Sequence, residues 1–113
     1  MKLEEVVTQI KGKVFSGDTN LGIEVERVWA ADLMSDVLAS PTSGALLITA
    51  LCAPQMVRTA EMMDMIGIVL VGGKKPDDSM IGLVKDLNMP LISTNYSLYE
   101  TCGILYCCGI RSA

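Results

Sequence analysis

The chain has 113 residues, half of them hydrophobic and only 19% charged; by length it is one domain, residues 1–113, and its composition excludes a disordered chain. A formal net charge of −4 argues against a binder of the nucleic-acid backbone, and one Trp, three Tyr and one Phe are too few for a base-stacking platform. With no histidine, Ser-His and Cys-His nucleophile pairs are excluded as well.

The predicted elements follow in chain order. Leu3, Val6, Val7 and Ile10 recur at helical spacing, predicting a helix over Lys2–Lys11 that Gly12 ends. The N-terminus carries Glu4 and Glu5 where a signal peptide needs an unbroken apolar core, so a cytoplasmic protein with reduced thiols is expected. Lys13–Gly22 reads as a turn-rich connection. Ile23–Ala30 reads as a strand whose alternation breaks after Arg27, and Ser35 as the N-cap of a short segment Asp36–Ser40. Pro41, Ser43 and Gly44 form a loop. Ala45–Ala50 is then a buried strand. The longest uncharged apolar stretch, Gly44–Pro54, is too short to span a bilayer, so no membrane partner is expected.

Pro54–Met65 is predicted as a helix whose inner face holds Met56, Val57, Ala60, Met63 and Ile66. Gly67–Val71 is the third strand and stops at Gly72-Gly73. A helix follows over Pro76–Leu87, with Met80, Ile81, Val84 and Leu87 as its stripe. Pro90 opens a last strand, Leu91–Ser93, and the final helix covers Ser97–Cys108. Repeated strand-helix order with short connections requires parallel strands joined by right-handed crossovers. The expected fold is α/β: a small parallel sheet of about four strands with helices on both faces.

In open sheets of this kind ligands sit at the carboxyl ends of the strands. Three successive parallel strands would bring Thr49, Gly72, Gly73, Lys74, Ser93, Thr94 and Asn95 to one edge. The glycines could present free amides to an anion and Lys74 a charge. The favoured reading of the pair is nevertheless a tight strand-to-helix turn needing positive φ. Asp77 and Asp78, placed in the first turn of the next helix, oppose strongly anionic ligands. Glu4-Glu5 and Asp77-Asp78 are sequence neighbours that do not face each other on a helix, so they read as solvated faces and no catalytic residue is assigned.

Cys102, Cys107 and Cys108, spaced C-x4-C-C, could hold a metal or an iron-sulfur cluster. Their offsets point them in different directions on one helix, and buried cysteine also behaves as a small hydrophobe; no metal or cofactor is expected. Of the eight methionines, Met62 and Met65 could sit outside the core on an adaptable protein interface. Ile104, Leu105, Tyr106 and Ile110 make the C-terminal segment apolar nearly all round, which predicts self-association, a homodimer, through helix surfaces.

Three pieces resemble the DRTGG domain family: VWAADLMSDVLA (28–39), ALLIT (45–49) and GIVLVGGKKPDDSMIGLVKDLNMPLIST (67–94). Leu70, Gly72, Gly73, Pro76 and Pro90 match the family's strand, LTGG turn, Pro-containing loop, helix and final strand. Val71 replaces the Thr of its TGG. The GDR segment after the second strand is Ala50–Ala53 here, with Arg58 the nearest arginine. The resemblance implies a fold like the N-terminal domains of HPr kinase and Mur ligases. It also implies a non-catalytic regulatory or assembly module, with a protein partner, in anaerobic redox metabolism alongside iron-sulfur hydrogenases or in acyl-phosphate metabolism. A sensor of a nucleotide or small anion in the strand-end crevice is the alternative, and an iron-sulfur or metal protein using the cysteines a second.

Overall fold

The computed structural model describes residues 1–113. Its elements in chain order are helix α1 (Leu3–Gln9), strand β1 (Lys13–Ser16), a 3-10 turn at Asp18–Asn20, β2 (Arg27–Ala30), α2 (Met34–Leu38), β3 (Leu46–Thr49), α3 (Pro54–Met62), β4 (Gly67–Leu70), α4 (Asp78–Asp86), β5 (Leu91–Ser93), α5 (Leu98–Cys107) and β6 (Arg111–Ser112). The strands form one sheet in the order β1-β5-β4-β3-β2-β6. β2, β3, β4 and β5 are the expected parallel block. β6 extends it in parallel beside β2, and β1 closes the other edge antiparallel to β5.

The period of two along each strand sorts the apolar side chains into two layers. Leu47, Ile68, Leu70 and Leu91 meet Val37, Met56, Val57, Ala60, Met80 and Val84 from α2, α3 and α4. Leu46, Ile48, Val69 and Ile92 meet Leu3, Val6, Ile10 and Leu105 from α1 and α5. Each such side chain fully removed from water contributes about 1.5–3 kcal/mol.

Several expectations change in detail. Lys13–Gly22 is not all turn: its first four residues form β1, with a bulge between Val14 and Ser16. A four-residue edge strand with one neighbour carries too little pattern to stand out from its surroundings. Gly17, at φ 86, then turns the chain close against Pro90, which a side chain there would strike. The strand expected from Ile23 is regular only from Arg27. α2 begins two residues earlier than expected, with Leu33 at the N-cap position, so Ser35 lies inside the helix. α3 ends at Met62 because Asp64 takes φ 57 and sends the buried Met65 back under the sheet. No helix is long and apolar enough to cross a membrane.

Candidate functional site

The carboxyl ends of β3, β4 and β5 do lie along one edge, in the register Thr49 beside Leu70 and Leu70 beside Ser93. There the two glycines let the chain double back. Gly72 and Gly73 hold φ 72 and 71, a region glycine enters without strain. Their amides are not free. The Gly72 N–H donates to the Tyr96 carbonyl at 2.7 Å and the Gly73 N–H to the Thr94 carbonyl at 2.9 Å. The pair therefore forms the tight positive-φ turn favoured from the sequence, clasps the segment after β4 to the segment after β5, and leaves no amide cradle for an anion. Asp77 is also displaced from its expected place: it is the N-cap of α4, its Oδ1 accepting from the Met80 N–H at 2.8 Å.

What the edge offers instead is a cluster of lysines. A crevice of about 390 Å³ is lined by Lys11, Lys13, Phe15, Gly73, Lys75, Pro76, Ser93 and Asn95. Antiparallel β1 is the reason. Running against β5, it starts where β5 ends, so Lys13 lies opposite Ser93. Lys11, two residues earlier, closes the same wall, and Lys75 comes from the loop between β4 and α4. The Lys13 ammonium rests 5.0 Å from the centroid of the Phe15 ring, a cation-π distance. No carboxylate lines the crevice. The structure's sole ion pair joins the Met1 ammonium to Glu24 at 2.7 Å, so none of these lysines is neutralised.

Of the seven expected residues, Gly73, Ser93 and Asn95 line the crevice. Thr94 lines a smaller adjoining hollow of about 190 Å³ with Ile10, Lys11, Asn95 and Tyr96. Its hydroxyl is committed to structure, donating to the Ile10 carbonyl at 2.6 Å and accepting from the Tyr96 N–H at 3.2 Å. Thr49 is fully buried, donates to Asp32 Oδ1 at 3.2 Å and does not line the crevice. Asp32 also accepts from the Ala50 N–H at 2.8 Å, pinning the β3 end. Gly72 and Lys74 do not line the crevice either. Lys11, Lys13, Phe15, Lys75 and Pro76 were not expected there. The only advance signal was the alternation of Lys13-Val14-Phe15-Ser16, four residues long.

The cysteines lie elsewhere. Cys102, Cys107 and Cys108 border an open groove of about 780 Å³ along α5, together with Tyr99, Ile104 and Tyr106. No three Cys, Asp or Glu side chains gather closely enough to hold a metal ion. Cys52 donates to the Lys75 carbonyl at 3.5 Å. Burial pushes its thiol upward, Asp77 pushes it further, and Lys74 partly offsets both.

The sheet order and two helical layers define a small α/β domain, covered on both faces, with its polar crevice at one sheet edge. The chain belongs to the DRTGG domain family, whose sequence pattern matches residues 5–107. Its fold is similar to a crystal structure of the CBS and DRTGG domains of the regulatory region of Clostridium perfringens pyrophosphatase, complexed with activator, diadenosine tetraphosphate. The TM-score is 0.75 at 14% sequence identity, over 92% of this chain and 45% of that one. At that identity the likeness is one of fold, and this chain spans less than half of that structure. No curated protein sequence matches the chain.

Proposed function

We propose that this chain is a non-catalytic regulatory module of the DRTGG type that senses a small anionic effector in the strand-end crevice. The observation that carries the reading is the lining itself: three unpaired lysines, no carboxylate, and Ser93 and Asn95 as neutral hydrogen-bonding groups. Such a lining attracts an anion and has no base to activate Ser93, and the chain has no histidine to supply one. The similar pyrophosphatase region is a regulatory one, complexed with a polyanionic activator, which supports a sensing role for this fold.

The same reading includes assembly as a homodimer or with a protein partner, favoured by a specific feature of α5. Tyr99 and Tyr106 are 86% and 64% exposed beside a largely apolar groove, where a monomer surface would ordinarily carry polar side chains. Residues 1–113 then act as one module, in the cytoplasm, in the redox or acyl-phosphate metabolism that the family contexts imply.

The test is thermal unfolding against a panel of small carboxylate, sulfate and phosphate anions at matched ionic strength, for the native chain and Lys13→Glu. An anion present far above its dissociation constant raises the melting temperature. We expect at least one anion to do so in the native chain and none in Lys13→Glu. If no anion shifts the native chain, or the shift survives Lys13→Glu, the sensing reading fails.

A further inference from the structure

Resting on that reading, we infer that the effector's binding group is an oligophosphate, and that the crevice takes it without a metal ion. The charge of the lining favours such a ligand. Three lysines from two chain segments line the crevice, Lys11 and Lys13 from around β1 and Lys75 from the loop between β4 and α4. A single orthophosphate neutralises only part of that field; a chain of phosphoryl groups brings three or four negative charges to three separated cations.

The kind of cation favours it too. Every cationic side chain in the lining is a lysine and none is an arginine. Arginine presents a planar fork that matches one carboxylate bidentately. Lysine is a point charge with three rotatable donors, indifferent to the plane of its partner. Lysines distributed along a crevice suit a run of tetrahedral phosphoryl groups better than a planar carboxylate. Ser93 and Asn95 add neutral donors for the remaining oxygens.

The lining also lacks the groups that would hold a metal ion. A protein that binds a magnesium-phosphate complex usually supplies one or two carboxylates to the ion. Here the lining residues have none, and lysines stand where the cation would share the phosphate oxygens. Magnesium in solution therefore competes with the protein for the ligand.

Lys11 bears on this independently. Four helices end in a left-handed residue: Lys11 after α1, Asp64 after α3, Asn88 after α4 and Gly109 after α5. Asp, Asn and Gly tolerate that conformation; Lys is the exception. Glycine at position 11 would relieve the strain, and it would also remove one of the three charges. A residue that breaks the local rule and lines the crevice is expected where binding, not folding, sets the choice.

The experiment is calorimetric titration of the full chain at fixed ionic strength with tripolyphosphate, ATP, orthophosphate and citrate, each with and without excess magnesium chloride. We expect tripolyphosphate and ATP to bind about tenfold or more tighter than orthophosphate and citrate, and magnesium to weaken both. Lys11→Gly should keep or raise the melting temperature while losing about fivefold or more in tripolyphosphate affinity, and Lys75→Ala should lose a comparable amount. Equal binding of ATP and tripolyphosphate supports a free oligophosphate. Tighter ATP supports the phosphate chain of a nucleotide, with the Phe15 face as a neighbour for the rest of the molecule. Citrate binding as tightly as tripolyphosphate overturns the oligophosphate assignment while leaving an anion sensor. Magnesium that strengthens binding overturns the metal-free mode. Binding of none of the four anions overturns the oligophosphate assignment, whatever other anion the chain senses. A stable Lys11→Gly that binds tripolyphosphate like the native chain removes Lys11, and the wall it forms, from the site.

Discussion

Two buried threonines, Thr94 and Thr101, separate hydrogen bonding from shape, because valine replaces either with almost no change of volume. Thr94 is 2% exposed and its hydroxyl is doubly engaged, giving a 2.6 Å bond to the Ile10 carbonyl and taking one from the Tyr96 N–H. Thr94→Val removes both bonds and leaves two protein groups short of a partner at a tight junction. The lost bond and the stranded groups together cost about 2 kcal/mol. Thr101 is fully buried in α5 and its hydroxyl has no partner. Thr101→Val removes an unsatisfied polar atom from the α1–α5 layer, a gain of about 1 kcal/mol. Valine and threonine have similar helix propensity, so the helical backbone contributes little to the Thr101 change. For a domain of this size 1 kcal/mol moves the melting temperature by about 4 °C. Thr94→Val should therefore melt about 8 °C lower, and Thr101→Val about 4 °C higher, in two-state calorimetric or circular-dichroism scans. Thr94→Val should also weaken anion binding, since the bond it breaks ties the Lys11 wall to the Asn95 wall. Shifts of the same sign and size for the two variants would refute the reasoning.

Further outcomes follow from the same geometry. Gly73→Val forces a β-branched residue into φ 71, with its Cβ 3.4 Å from Asn95 Oδ1, so it should cost about 1–2 kcal/mol and weaken any effector bound in the crevice. A folded variant with unchanged affinity would place the effector elsewhere. Burial raises the Cys102 thiol above its ordinary range and lowers its thiolate fraction at pH 8, whereas Cys107 is exposed. Ellman's reagent should then modify Cys107 first, with Cys102 and the similarly raised Cys52 lagging; equal rates for Cys102 and Cys107 would contradict the burial. Light scattering should show a dimer at micromolar concentration that Tyr106→Glu dissociates; a native monomer would rule out the α5 interface.

The legible part of the fold was the part with long-range apolar pattern. β3 and β4 are buried on both faces, so each shows as an uninterrupted apolar run, and Pro54 marks the start of α3. β1 and β6 lie at the sheet edges and have four and two residues. Their pairing comes from a neighbour far away in sequence, and nothing local to Lys13 announces that it will lie beside Ser93. Helix ends were misplaced for a related reason. Asp64 ends α3 through backbone conformation, while its sequence surroundings, Met62, Met63 and Met65, continue to look helical.

The same distinction explains why the strand-end edge was legible in the sequence and the lysines lining it were not. Topology alone puts the ends of β3, β4 and β5 together, and Gly73, Ser93 and Asn95 are where that argument leads. The alternative reading of the glycines as anion-binding amides needs a Gly-Gly turn that leaves its donors free. A backbone donor at a sheet edge, however, takes the nearest carbonyl, and the chain after β5 supplies two. Once those amides are satisfied, the only groups left to meet an anion are side chains that reach the edge from outside the parallel block. A parallel strand added beside β5 would have brought its carboxyl end there. An antiparallel one brings its start, and with it Lys11 and Lys13. The direction of one edge strand thus lines the strand-end crevice with lysines.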